Sequence, residues 1–381
     1  MEITPGISLS PLLPEDLDKL IVFFRKAYGE NTVFQNEGFL NYYFSSWNPK
    51  KGDGVVNLVA YDLESGDIVS HYGGLFYNLN LNNTIVPYVW GVNAYTLPEW
   101  RGKGINSKIV EYIHNNNIAN AVVGMPFDAP FFYQKLGYNI FNKETFARFI
   151  YALDAQVFSI IETMQQNIER AKQIIKINTD ATFLFDSQKI IKITKENIDS
   201  YILDFDITNI TTTHRDHDFI KWRLLENPYI DYEIYACIIA DKIKSYLVIR
   251  VENLKPQNLK VIRVIDLFGN HNHILDLLNY CKHHAVQNNY IYIDFSVYGM
   301  LYETELLSSG FTKLERDDYS LIPQVTSPIE NRPNHEFLGI QSKLYADKIA
   351  QLTNETVYFT RIDSDRDRVS HISQVSRIQG E

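Results

Sequence analysis

Apolar residues recur along the chain at two periods. Leu17, Leu20, Ile21, Phe24 and Tyr28 fall three or four apart, the spacing of one helix face. Pro11, Pro14, Glu15 and Asp16 precede them as a helix start, with acids where the helix dipole favours them. A short strand is predicted over residues 3–9, and a second helix over 36–47, ended by Asn48-Pro49. Residues 55–62 and 68–77 read as a hairpin around Ser65-Gly66-Asp67. Residues 88–96 read as a further strand after a turn at Asn80, Asn82 and Asn83. Ile105, Ile109, Val110 and Ile113 mark a helix, residues 121–125 a buried strand, and 130–136 a brief helix stopped by Gly137. Residues 145–153 are expected to close this unit as a strand.

Val157, Ile160, Ile161, Met164, Ile168, Ala171 and Ile175 predict one bridging helix over 154–175. Beyond it the pattern returns. Asp218-Phe219-Ile220-Lys221-Trp222 before Asn227-Pro228 echoes Gly38-Phe39-Leu40-Asn41-Tyr42 before Asn48-Pro49. A hairpin over 232–251, a strand over 260–267, a helix over 274–285 and a strand over 290–295 echo the earlier order. Leu306-Leu307-Ser308-Ser309-Gly310-Phe311 echoes Gln134-Lys135-Leu136-Gly137-Tyr138. The fold class expected is α/β with mixed (α+β) sheets, as a duplicated unit with mostly antiparallel central sheets flanked by helices.

Composition narrows the function. The 381 residues are 45% hydrophobic and 22% charged, with 25 Tyr and 22 Phe, enough apolar mass for two cores. The net charge of −10 disfavours nucleic acid and anionic lipid, since phosphate contacts need clustered Lys and Arg. No run of apolar residues is long enough to insert in a membrane, and no basic, apolar leader follows Met1, so a cytoplasmic protein is expected. Cys237 and Cys281 lie in no paired or zinc-binding spacing and read as reduced thiols. His271, His273, His283, His284 and the run His214-Arg215-Asp216-His217 lack the third and fourth ligands a metal requires, so no metal is expected. Thr360 to Arg368 carries alternating acids and arginines without the Gly and Glu of a calcium loop, and reads as a solvated, salt-bridged tail. The alternative is that Arg361, Asp363 and Asp365 line an acceptor site.

One segment carries chemistry. Pro98-Glu99-Trp100-Arg101-Gly102-Lys103-Gly104-Ile105-Asn106 lies between a strand and an amphipathic helix. Glycines at such a junction let backbone N–H groups approach a pyrophosphate, and the helix start adds partial positive charge. Walker and dinucleotide spacings are absent. With Ala129-Pro130-Phe131-Phe132-Tyr133-Gln134-Lys135-Leu136-Gly137-Tyr138 downstream, the segment resembles the acetyl-CoA signature R/Q-x-x-G-x-G/A and second motif of the GNAT N-acetyltransferase family. The resemblance covers residues 1 to about 153. Two departures stand out: Asn106 replaces the last small residue, and Pro126-Phe127-Asp128 replaces the usual Asn before the second motif.

The resemblance implies two GNAT-like domains in tandem: a catalytic domain over 1–153, a connecting helix over 154–178, a degenerate copy over 179–322 and a C-terminal extension over 323–381. It implies acetyl-CoA as cosubstrate and a small-molecule amine as acceptor. It places Ala94, Tyr95 and Thr96 beside the thioester and Arg101, Gly102, Lys103, Gly104, Ile105 and Asn106 around the coenzyme, with Tyr133 as general acid. The general base stays open between Asp128, His71 and a water relay. In the second half, Leu267-Phe268-Gly269-Asn270-His271-Asn272-His273 keeps one Gly and no Arg, and Thr304 or Glu305 falls near the Tyr133 position, so one working site is expected. Trp222-Arg223 and the closing Asp-Ser-Asp run look like acetyltransferases of surface-polysaccharide pathways, which implies an amino-sugar acceptor, free or nucleotide-linked. The competing functions are a non-catalytic acyl-CoA binder and a tandem-GNAT aminoacyl transferase. Oligomeric state is not legible.

Overall fold

In a computed structural model the described residues are 1–44, 57–116, 118–125, 129–179, 183–255, 258–326, 329–330, 337–369, 371–372 and 375. The expected helix stop at Asn48-Pro49, the Pro126-Phe127-Asp128 departure and the candidate base Asp128 lie outside them. Strands β1 (Glu2–Thr4) and β2 (Ile7–Pro11) come first, then helices α1 (Leu17–Tyr28) and α2 (Glu37–Phe44). Strands β3 (Asn57–Asp62), β4 (Ile68–Leu81) and β5 (Thr84–Thr96) follow, then α3 (Ile105–Asn115), β6 (Ala119–Met125), α4 (Ala129–Lys135) and β7 (Asn139–Ile140). β1 to β5 pair antiparallel in sequence order, and β6 adds parallel to β5. The alternating strand pattern puts Leu75, Tyr77 and Leu79 of β4 in the core shared with α1 and α2. Tyr72 and Phe76 pack on the opposite face with Ile105, Ile109 and Ile113 of α3.

The second sheet repeats this plan. Strands Glu233–Ile239, Lys242–Leu254 and Leu259–Gly269 pair antiparallel, helix His271–Gln287 follows, and strand Tyr292–Tyr298 adds parallel to Leu259–Gly269. The two echoing segments of the sequence meet in space: the Tyr42 hydroxyl donates to the Trp222 carbonyl at 2.6 Å.

Three expectations are corrected. First, the strand expected to close the first unit, β8 (Phe146–Ala152), lies in the second sheet, antiparallel to Tyr292–Tyr298. In return, strand Phe337–Gln341, from the expected C-terminal extension, lies in the first sheet between β6 and β7. β8 is anchored in the second sheet by Arg148, which is fully buried. It donates to Asp294 at 2.8 Å and to the carbonyls of Tyr319, Ile322 and Pro323 at 2.5, 2.7 and 3.0 Å. Second, the single bridging helix is two, α5 (Val157–Thr163) and α6 (Ile168–Ile174). Gln165 takes a left-handed φ of 56°, and the Asn167 side chain caps the second helix by accepting from the Arg170 N–H.

Third, the stretch from Thr360 to Arg368 is not a solvated tail. Arg361, Asp363 and Asp367 are buried, 8%, 0% and 2% exposed, because each has charged partners within the fold. Asp363 accepts from Arg215 at 2.8 Å, and Arg250 donates to Asp367 at 3.1 Å. Arg361 reaches Ser296 at 3.0 Å and lies 3.7 Å from Asp294. Arg223 donates to the carbonyls of Ile362 and Ser364 at 3.0 and 3.1 Å, which ties the Trp222-Arg223 pair to the closing acidic run. Arg215, from the run His214-Arg215-Asp216-His217, is likewise buried, while Asp216 next to it caps a short helix through the Phe219 N–H. Cys237 and Cys281 are buried and unpaired. Among the described residues no helix is long and apolar enough to cross a membrane.

Candidate active site

β5 and β6 are the elements that make the site. They pair in parallel from Tyr88–Ala119 to Gly91–Val122, and then separate. Beyond that point β5 continues to Thr96 and β6 to Met125, with no strand among the described residues between them. β5 also bulges here. His71 pairs with Tyr95 and Gly73 with Val92, so Asn93 and Ala94 stand opposite Tyr72 alone, and Asn93 takes a left-handed φ of 52°.

At the end of β5 the predicted glycine segment forms a cleft of about 410 Å³. Thr96, Arg101, Gly102, Gly104, Ile105 and Asn106 line it, joined by Trp100, Ser107 and Phe132. Gly102 and Gly104 have φ of 78° and 72°, a conformation that side chains disfavour and that turns the chain sharply into α3. Gly104 is the N-cap and provides no capping side chain, and the first helical bond runs from Lys108 N–H to the Gly104 carbonyl. The first-turn N–H groups of α3 therefore face the cleft without a side-chain acceptor, the arrangement that suits an anion. The Ile105 side chain packs into the core, so only its backbone serves the cleft. Arg101 turns back on β5, its Nε donating to the Thr96 carbonyl at 3.1 Å and its guanidinium 5.2 Å from the Tyr95 ring. The Lys103 ammonium rests 4.0 Å over the Trp100 ring, at the rim. Ala94 is exposed on the bulge, while Tyr95 packs toward α1 against Phe23 and Tyr28.

Tyr133 lies behind this cleft, 8% exposed, its ring against Phe132 and Tyr138. Burial pushes its hydroxyl above the usual phenol range, and the polar Asn106 side chain beside it pulls it partly back. It stays protonated at neutral pH, the state a proton donor needs. Asn106, which departs from the signature, thus stands beside the Tyr133 hydroxyl. Spacing along the chain does not mark that proximity, because α3 and α4 meet only in the folded chain.

His71 does not suit the role of base. It is 1% exposed, and burial lowers its imidazole to about 4, with the hydrogen bond to the Asn93 carbonyl opposing. On the other side of β5, α1 and the C-terminal segment face each other. Arg368 lies 4.7 Å over Phe34 and 3.3 Å from Asp365, and Ile372 N–H donates to the Asn31 carbonyl at 3.0 Å. Of the three residues considered for an acceptor site, Asp365 is half-buried at this seam, whereas Arg361 and Asp363 are consumed by internal ion pairs.

The matching place in the second sheet is filled. Leu259–Gly269 and Tyr292–Tyr298 also separate after a short parallel pairing, but the two-residue strand Phe359–Thr360 occupies the opening. It pairs with Tyr298 and Val297 on the edge opposite β8. The Val357 carbonyl lies 1.8 Å from where a Cβ on Gly299 would be, so this segment fits only over a glycine. Tyr138 N–H donates to the Tyr133 carbonyl, and in the same way Phe311 N–H donates to that of Leu306. Leu306, rather than Thr304 or Glu305, therefore stands where Tyr133 stands in the first half, and it has no hydroxyl.

Comparison with known proteins agrees with this geometry. Residues 9–141 match the acetyltransferase (GNAT) domain family. No curated protein matches the sequence. Among solved structures, N-myristoyltransferase of Saccharomyces cerevisiae with bound myristoyl-CoA and inhibitors is similar at a TM-score of 0.51 and 11% identity, over 89% of this chain and 80% of that one. A conserved protein of unknown function from Enterococcus faecalis V583, described as a probable N-acyltransferase, is similar at 0.53 and 12%, over 89% and 73%. Residues 9–141 thus match an acetyltransferase (GNAT) domain, and the chain as a whole shares its fold with these two solved structures.

Proposed function

We propose that the protein is an acetyl-CoA-dependent N-acetyltransferase with one working site, formed by β5, β6, α3 and α4, and that residues 179–322 are a GNAT-like copy without a cofactor site. The observation that carries this reading is the contrast between the two strand openings. The first is free among the described residues and runs into a glycine cleft at a helix start. The second is closed by the chain's own strand Phe359–Thr360. A pantetheine arm carries amides that can pair with an open strand edge, and a pyrophosphate suits the uncapped start of α3. Arg101, Gly102, Lys103, Gly104, Ile105 and Asn106 would hold the coenzyme, and Ala94, Tyr95 and Thr96 would border the thioester.

The acceptor is read as an amine of a small molecule, an amino sugar or a nucleotide-linked amino sugar. The seam where Tyr28, Asp365 and Arg368 are exposed or half-buried supports it, since a ring beside a carboxylate and a guanidinium suits a ligand with both apolar faces and polar groups.

Calorimetry with acetyl-CoA tests the reading. One molecule is expected to bind per chain, and Gly102→Glu with Gly104→Glu is expected to abolish binding, because a side chain strains both left-handed positions and a carboxylate repels the pyrophosphate. A stoichiometry of two would contradict the loss of the second site. No binding to a folded wild-type protein would refute the cofactor assignment.

A further inference from the structure

The bulge in β5 has a brace. His71, on β4, buries its ring against Phe24 and Phe44, at centroid distances of 4.9 and 6.0 Å. Its Nδ1 lies 3.1 Å from the Asn93 carbonyl oxygen and its Nε2 2.8 Å from Oδ1 of Asn57. A carbonyl only accepts, so Nδ1 carries the proton and donates to it. The buried ring is neutral, so Nε2 is an acceptor. The Asn57 carboxamide serves it through its NH2, after the half-turn that exchanges its oxygen and nitrogen. Both ring nitrogens are then occupied, and His71 has no free site to take a proton from an amine.

The consequence lies on the other side of the same peptide group. In a trans peptide the C=O and the following N–H point in opposite directions. With the Asn93 carbonyl held toward β4 and α1, the Ala94 N–H is turned the other way, toward β6 and the opening. A ladder does not fix this peptide group, because Asn93 and Ala94 are the extra residues of the bulge.

We propose that His71 is a positioning residue for acyl transfer: by holding the Asn93 carbonyl it aims the Ala94 N–H at the thioester oxygen. The proposal rests on the acyl-CoA reading above. When the amine attacks, an N–C bond forms at the carbonyl carbon and the C=O pair moves onto oxygen. The Ala94 N–H stabilises that oxyanion by hydrogen bonding, without giving up its proton. On collapse the oxyanion pair re-forms the C=O, the C–S bond breaks, the thiolate takes a proton from Tyr133, and the amine's surplus proton leaves to water, from which Tyr133 is reprotonated. Donors fixed before the reaction need no reorganisation when charge appears, which is why bracing the bulge matters.

The test uses the full chain and acetyl-CoA labelled with 13C at the carbonyl. In the wild-type complex the carbonyl resonance is expected to move downfield from its position in free acetyl-CoA. His71→Leu is expected to return it to the free position while CoA itself still binds. His71→Gln, whose amide can still donate to Asn93, is expected to keep the shift. With an active amine, His71→Leu is expected to lose on the order of 10²-fold in kcat at unchanged KM for acetyl-CoA. A shift retained in folded His71→Leu, or absent from a wild-type complex that binds acetyl-CoA, overturns the role of His71 and leaves the cofactor reading standing. No binding by the wild type overturns the cofactor reading instead. Should circular dichroism show His71→Leu unfolded, Asn57→Leu frees the ring from its anchor. A reduced shift in that variant supports the brace, and an unchanged one overturns it.

Discussion

Replacing Arg148 by methionine is expected to lower the stability of the fold by about 3–5 kcal/mol, the range seen when one partner of a buried ion pair is removed. The mutation leaves Asp294, 1% exposed, without its closest cation and takes the Arg148 donors from the carbonyls of Tyr319, Ile322 and Pro323. Arg263 and Arg361 lie further from Asp294, at 3.6 and 3.7 Å, and their Nε atoms have no hydrogen-bond acceptor among the described residues. Urea unfolding gives the measurement. A loss under about 1 kcal/mol would mean that these two arginines replace Arg148 fully, contrary to the geometry.

The same cluster sets an acid limit. Burial alone raises Asp294, but Arg148, Arg361 and Arg263 outweigh it and hold the carboxyl at about 2. Its folded value lies below the unfolded value of roughly 3.9, so its contribution is full above that pH and is lost as pH falls toward about 2. Urea midpoints measured down this range are expected to fall. In Arg148→Met the fall should begin at higher pH, because the strongest of the three attractions is gone.

Tyr133→Phe is the second large effect. It removes one oxygen atom, keeps the ring against Phe132 and Tyr138, and takes away the proton donor proposed for the departing thiolate. Loss of a positioned general acid is expected to lower kcat by roughly 10²–10⁴-fold. Acetyl-CoA affinity should stay nearly unchanged. Thiol release with the best amine from a panel of amino sugars, sugar nucleotides and polyamines is the assay. Full activity in Tyr133→Phe would remove Tyr133 from the mechanism. Asn106→Ala gives a companion test: the Asn106 side chain lowers the Tyr133 pKa, so its loss should move the basic limb of the rate profile to higher pH.

Much of this was legible along the chain, and the legible part is local. Period-two and period-3.6 patterns located β3, β4, β5, α1 and α3, because burial on one face is written directly into spacing. The glycine segment is a matter of backbone conformation over a few residues, and Gly102 and Gly104 do take the left-handed turns that such a junction needs. The likeness in strand and helix order between the two sheets was visible for the same reason, since each hairpin and helix echoes its own local pattern.

What escaped the sequence depends on which distant segments meet. β8 reads as the last strand of its unit, yet all seven of its residues are buried. A strand buried on both faces belongs in the middle of a sheet, but the partner that puts it there, Tyr292–Tyr298, lies far along the chain. The acids and arginines beyond Thr360 read as a tail because their partners Arg215, Arg250 and Asp294 are likewise remote. Buried charge is tolerated only where opposite charge awaits it, and composition cannot say where that is. The sequence by itself determined the local frame of the candidate site: a strand, a glycine turn and a helix, with a tyrosine downstream. Only the tertiary structure decided that among the described residues the first strand opening stays free while the second is filled by the chain, and that Asn106 stands beside Tyr133. It also decided that His71 holds a peptide group rather than takes a proton. Each of these is a contact between elements, and spacing along a chain encodes faces, not partners.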